Sequence, residues 1–163
     1  MALPTYLERV GLSVVREGIA IIPVHGVGNL AKWWRFFSAY EIPVFAVFDN
    51  DAHGEDADGT RRLDLLSALG VAEGEAGEIM QSVDVTITAS FMAFPKTFEV
   101  TMRELFQPEY VALEAQAAEQ FQLLSKPLVA RYVAENLGQP AASAGWDLYS
   151  NLAEAVRRVA ARM

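Results

Sequence analysis

Two continuous apolar runs, Ile19–Ala20–Ile21–Ile22–Pro23–Val24 and Pro43–Val44–Phe45–Ala46–Val47–Phe48, constrain this chain more than any other feature. Neither alternates apolar with polar residues, which is the pattern of strands covered on both faces, as parallel strands are. The first leads through His25–Gly26–Val27–Gly28 into a helix from Leu30 to about Tyr40, with Asn29 placed as its N-cap. The second leads through the turn-rich Asp49–Gly59 into a helix striped by Leu63, Leu66 and Leu69 and stopped by Gly70. Strand, helix, strand, helix in this rhythm predicts an α/β fold, a parallel sheet flanked by helices. Ahead of it, Leu3, Tyr6, Leu7 and Val10 recur at helical spacing with Gly11 as a stop, and Ser13–Glu17 reads as a second short piece. A third strand is expected within Val83–Phe94, where Val85, Ile87 and Ala89 alternate with Thr86 and Thr88. From Thr97 the pattern turns helical, over about 97–106, 109–124, 126–137 and 146–162, with Gly138–Gly145 the one linker-like stretch. The expected division is an α/β domain over 1–106 and a helical extension over 107–163.

At 163 residues the chain has room for one ordinary domain. Its 21 acidic and 13 basic residues give a net charge of −8, which argues against a free-standing module that holds nucleic acid by bulk electrostatics. The same charge is compatible with a site that binds Mg²⁺ through carboxylates, the natural hard ligands of that ion. Zero cysteines exclude disulfides, thiolate metal sites and a cysteine nucleophile. No apolar stretch approaches the ~20 residues of a membrane span, and the N-terminus has no basic-then-apolar signal, so no membrane contact and a cytoplasmic location are expected.

The strongest chemical signal is Val47–Phe48–Asp49–Asn50–Asp51, at the carboxyl end of the second run, where open α/β sheets bind their ligands. Side chains alternate along a strand, so Asp49 and Asp51 share a face and Asn50 takes the other. Two carboxylates so close repel, which raises one pKa or recruits a cation. Glu55, Asp56 and Asp58 follow at once; Asp56 and Asp58 read as caps of the helix that begins near Gly59. A lone His25 beside two glycines reads as structural rather than as a ligand, and His53 as an ordinary loop histidine. The turn around His25 lacks a third glycine, which disfavours dinucleotide binding. Trp33, Trp34, Phe36 and Phe37 span more than one face of their helix; most are expected in the core, and an unburied member would mark an interface. Arg61, Arg62 and Lys96 are either contacts to phosphate groups or surface charge. Arg157, Arg158 and Arg162 read as a solvated face of the last helix, whose buried stripe is Leu148, Leu152, Val156 and Val159.

Ile21–Pro23–Val24–His25–Gly26 followed by Asn29 and an aromatic helix, then Ile42–Pro43–Val44 leading to Asp49–Asn50–Asp51, resembles the TOPRIM domain of the overcoming-lysogenisation-defect (OLD) family of ATP-dependent endonucleases. The resemblance continues through Phe94–Pro95–Lys96–Thr97–Phe98–Glu99 and Ser125–Lys126–Pro127–Leu128–Val129–Ala130, and so covers roughly residues 3 to 137. It implies a TOPRIM-like (Rossmann-like) sheet and cleavage of DNA with Mg²⁺ or Mn²⁺, usually two ions. Asp49 and Asp51 match the metal-binding acidic pair. Glu99 matches a later acid that binds a second ion, and Lys126 a lysine that stabilises charge on the phosphate. In the family an ABC-type ATPase domain lies upstream in the same polypeptide, so ATP enters only through a domain this chain lacks; no Gly-x-x-x-x-Gly-Lys-Ser/Thr occurs here. TOPRIM domains open with a strand ending in Glu-Gly, whereas Met1–Ala2–Leu3–Pro4 already corresponds to the helix after it. The expectation is a fragment or partial domain.

Two other readings compete. A haloacid-dehalogenase-like phosphatase also carries Asp-x-Asp after a strand, but it predicts Thr or Val two places after Asp51, where this chain has His53. An interaction module that keeps the fold and mediates homodimer formation or partner docking is favoured by the absent glutamate. The retained Asp49, Asp51, Glu99 and Lys126 oppose it.

Overall fold

The computed structural model describes residues 2–51, 56–122, 125–138 and 143–161. Along them run α1 (Leu3–Arg9), α2 (Val27–Ala39), β1 (Ala46–Asp49), α3 (Thr60–Ala68), α4 (Glu73–Gln81), β2 (Thr86–Ile87), β3 (Phe91–Phe94), α5 (Phe98–Leu105), α6 (Glu109–Phe121), α7 (Lys126–Asn136) and α8 (Ala144–Ala160). The protein is therefore α/β, with a small sheet in its first part and helices thereafter. No described helix is long and apolar enough to cross a membrane. The described residues fall into two compact units, one drawn from Met1–Ile21 and Glu99–Glu154, the other from Ile22–Phe98 and Ala155–Met163.

The second unit holds the sheet, in the order β1-β3-β2. β1 runs parallel to β3, with Ala46 opposite Phe91 and Asp49 opposite Phe94, while β2 pairs antiparallel to β3 through Thr86–Ala93 and Ile87–Met92. One face of the sheet supplies Ala46, Phe48, Phe91 and Ala93 to a core completed by Ala31 of α2, Leu65 and Leu66 of α3, and Ala76 and Ile79 of α4. Each large side chain buried there contributes about 1.5–3 kcal/mol over exposure.

The other unit is helical and built around aromatic rings. Tyr6 of α1 stacks on Tyr149 of α8 with ring centres 4.3 Å apart, and Phe106 and Trp146 flank it at 6.0 and 6.1 Å. The Tyr149 hydroxyl donates to Met102 Sδ at 2.9 Å. Arg9 joins the ends of two helices: Nη1 donates to the carbonyl of Ala134 at 2.9 Å and Nη2 to that of Gly138 at 2.6 Å. Its guanidinium lies 4.8 Å over the Trp146 ring. A cation on the last carbonyls of α7 complements the negative end of that helix dipole.

Several elements differ from expectation, each for a physical reason. Ile19–Val24 is irregular backbone rather than a strand, and Ile22 is 53% exposed. Apolar content marks burial or interface, but a strand also needs a ladder partner, and among the described residues β1 pairs only with β3. Pro23 removes a donor and His25 turns the chain at φ 49. Ser13–Glu17 forms a turn, and α2 begins at Val27 instead of after Asn29, whose Nδ2 donates back to the His25 carbonyl at 2.9 Å. The third strand is a hairpin: Thr88 Oγ1 accepts the N–H groups of Ser90 and Phe91 and turns the chain between β2 and β3, which makes the sheet mixed. Helix α4 escaped the sequence because Gly74 and Gly77 lower its propensity; Ala76, Ile79 and Met80 carried the helical spacing. Gly70 does end its helix, at φ 82, as expected. Most of the aromatic residues of α2 are outside the core: Trp33 and Phe36 are 42% and 49% exposed, and of the four Trp34 packs on it.

Burial holds the hydroxyls of Tyr6 and Tyr149 well above the ordinary tyrosine pKa and pushes Tyr110 up to about 12. A phenol whose folded pKa is raised contributes stability that is complete below its ordinary pKa of 10 and lost as pH climbs through the raised value. A tyrosinate absorbance titration is therefore expected to show these three tyrosines silent at pH 10 and to release their signal together with loss of helical ellipticity near pH 12. Three ordinary titrations in the folded chain would contradict the packing.

Candidate metal centre

The burial of β1 and the two residues after it alternates strictly. Ala46, Phe48 and Asn50 are buried, whereas Val47, Asp49 and Asp51 are half-buried. Asn50 is 4% exposed and fixed from three directions. Its N–H donates to the Phe94 carbonyl at 2.7 Å, extending the β1–β3 ladder one step past the strand. Its Nδ2 donates to the Ile79 carbonyl at 2.7 Å, an end carbonyl of α4 that also accepts the Ser82 N–H at 3.1 Å. Its own carbonyl accepts Arg62 Nη1 at 2.8 Å. With Asn50 turned inward, the alternation of the strand turns Asp49 and Asp51 to the other face, as expected.

Asp49 Oδ1 accepts the N–H of Phe98, the first residue of α5, at 2.9 Å. A carboxylate at a helix N-terminus meets an unpaired N–H and the positive end of the dipole, so Asp49 is oriented as well as placed. The rest of the acidic run divides. Asp56 is buried and caps α3, accepting the N–H of Arg61 at 2.7 Å and of Arg62 at 3.3 Å, and it pairs with Arg62 Nε at 2.7 Å. Exposed Asp58 accepts the Thr60 N–H at 3.1 Å, and that hydrogen bond holds its carboxyl below the ordinary range. Both are caps, as the sequence reading has it. Gly59 turns the chain into α3 at φ +76, where a Cβ would strike the Met80 methyl. His53 and Glu55 lie outside the described residues.

Glu99 is half-buried in the first turn of α5, and Lys126 opens α7, exposed. Both belong to the helical unit, whereas Asp49 and Asp51 stand at the end of β1 in the sheet unit. His25 is exposed at a turn. Arg62 is buried, at 4% exposure, rather than surface charge: with Leu65 and Leu66 it makes the inward stripe of α3, while Leu63 is 42% exposed. Sequence reasoning missed this role for Arg62. The available signal was its position three and four residues before Leu65 and Leu66.

The donor set fits a hard divalent cation. Mg²⁺ commonly takes one or two carboxylates and completes its shell with water and phosphate oxygens. Among the described residues no group of three or more His, Cys, Asp and Glu side chains converges, so the pair Asp49/Asp51 is the nucleus to which other donors would add. The elements and the acidic strand end together define an α/β domain with a small mixed sheet and further helices. Residues 1–51 match the family model for the overcoming lysogenization defect protein-like TOPRIM domain, so the match ends on Asp51 and takes in both carboxylates. No curated protein and no solved structure matches the chain.

Removing Asp56 leaves a buried guanidinium without its counter-ion and two helix N–H groups without an acceptor. Asp56→Ala is expected to cost about 3–5 kcal/mol in urea denaturation, the range for breaking a buried pair. Asp58→Ala, at an exposed cap, is expected to cost far less; equal losses would contradict the division of the acidic run.

Proposed function

We propose that the chain is a divalent-metal-dependent DNA endonuclease domain of the OLD type, cutting or nicking a phosphodiester. The observation that supports it best is the carboxylate pair, Asp49 and Asp51, presented at the carboxyl end of β1 on the face opposite buried Asn50, within the segment that matches the TOPRIM model. In this reading Asp49 and Asp51 hold Mg²⁺ or Mn²⁺. The resemblance adds Glu99 as a ligand of a second ion and Lys126 as a fixed positive charge on the phosphate. Bound ions of this kind activate a water and stabilise the leaving oxygen of an in-line displacement. The Phe98 N–H fixes Asp49 in one orientation, which lowers the cost of ordering a ligand. DNA is the substrate, an ABC-type ATPase domain the partner through which ATP would act, and the cytoplasm the compartment. Bound cations also reverse the local sign, so a net charge of −8 does not prevent an approach by phosphate.

The second reading, a non-catalytic module for homodimer formation or partner docking, is favoured by one observation. Ile22, Trp33, Phe36, Tyr40 and Ile42 are exposed apolar side chains in one stretch of the sheet unit. Plasmid nicking in Mg²⁺ and in Mn²⁺ separates the two. The nuclease reading expects ion-dependent nicking that falls to background in Asp49→Ala and Asp51→Ala, and by about 10²- to 10³-fold in Lys126→Ala. It expects Glu99→Ala to raise the ion concentration needed. Absence of ion-dependent nicking, alone and with an added ATPase domain, favours the docking module.

A further inference from the structure

We propose that Arg62 is a positioning residue for the Asp49/Asp51 pair, an inference that rests on the metal-site reading above. Its guanidinium straps together the two ends of the segment that follows β1. On one side Nη1 donates to the carbonyl of Asn50, at 2.8 Å. That carbonyl belongs to the peptide linking Asn50 to Asp51, so the hydrogen bond fixes the plane from which the Asp51 side chain departs. On the other side Nε donates to Asp56 Oδ2 at 2.7 Å and Nη2 to the Asp56 carbonyl at 3.2 Å. Asp56 is in turn anchored to the first turn of α3 through the Arg61 and Arg62 N–H groups. The acidic strand end and the start of α3 are thus tied through one planar group.

Stability alone does not account for an arginine here. The Arg62 and Asp56 side chains are 5% and 11% exposed. At such burial an ion pair roughly breaks even with apolar packing of similar volume, or loses to it. A leucine at position 62 would continue the stripe of Leu65, Leu66 and Leu69 with no charge to desolvate. What the guanidinium adds is direction: several donors in one rigid fork, aimed at a backbone carbonyl and a carboxylate at once. Lysine, with a compact ammonium on a flexible stem, keeps the charge but not the two-ended geometry. Residues that orient ligands without touching the ion govern affinity in metal sites generally.

The test reads ion affinity and fold separately, by Mn²⁺ titration followed with electron paramagnetic resonance and by thermal melting of the same samples. The variants are Arg62→Lys and Leu65→Ala, which removes packing from the same face of α3. The inference expects Mn²⁺ affinity in Arg62→Lys to drop by about tenfold or more, well below its melting temperature. Leu65→Ala should lose melting temperature and keep its affinity. Should Arg62→Lys fail to fold, Asp56→Asn, which leaves Arg62 its contacts to the Asn50 and residue-56 backbone carbonyls and replaces its charged partner with a neutral one, is read the same way. Unchanged affinity in the folded variant, or an equal drop in Leu65→Ala, overturns the positioning role while the metal site stands. A wild-type chain that binds no Mn²⁺ overturns the metal-site reading and this inference with it.

Discussion

The inward anchoring of Asn50 governs the chemistry available to the sheet unit. Asn50, 4% exposed, spends its backbone N–H, its Nδ2 and its backbone carbonyl each on a different element, β3, the end of α4 and Arg62 of α3, while its Oδ1 is buried without a hydrogen-bond partner among the described residues. Those three hydrogen bonds fix which face of the strand is the inside. Backbone alternation then leaves Asp49 and Asp51 together on the opposite face, a placement neither carboxylate would secure alone. Rotating the strand by one residue would bury both charges and expose the amide, at a desolvation cost of several kcal/mol per ion. The carboxylate pair is therefore a consequence of how its neighbour packs.

The acidity of the segment after β1 has two physical roles. Asp56 and Asp58 serve the helix behind it, one buried and paired with Arg62, the other an exposed cap held ionised by the Thr60 N–H. Asp49 and Asp51 face away from that arrangement. Composition pooled these charges into a single acidic cluster. Hydrogen bonding assigns Asp56 and Asp58 to the start of α3, and the burial alternation of β1 sets Asp49 and Asp51 together on one face.

Legibility in the sequence followed how local the deciding physics was. The β1 strand, the stop at Gly70, the caps at Asp56 and Asp58 and the later helices were readable, because each rests on spacing or on neighbours a few residues away. Ile19–Val24 was not, since it is as continuously apolar as Pro43–Phe48 and differs in having no ladder partner among the described residues. Trp33 and Phe36 misled for the same reason: aromatic content signals burial somewhere, including against another molecule. Arg62 was hidden by its chemical type, because charged residues are almost never buried unless paired, and its partner could be recognised only once Asp56 was placed. The acidic pair itself was visible from the alternation rule, whereas its orientation by the Phe98 N–H depends on a contact 49 residues away along the chain.

The most direct test of the account is the anomalous signal from crystals of the chain soaked in Mn²⁺. The account predicts an ion at about 2.1 Å from carboxylate oxygens of both Asp49 and Asp51, with the Asn50 amide still directed at the Ile79 carbonyl. Mn²⁺ bound elsewhere, or Asp49 engaged by the Phe98 N–H with no ion beside it at saturating Mn²⁺, would contradict the central claim that this strand end is a metal centre.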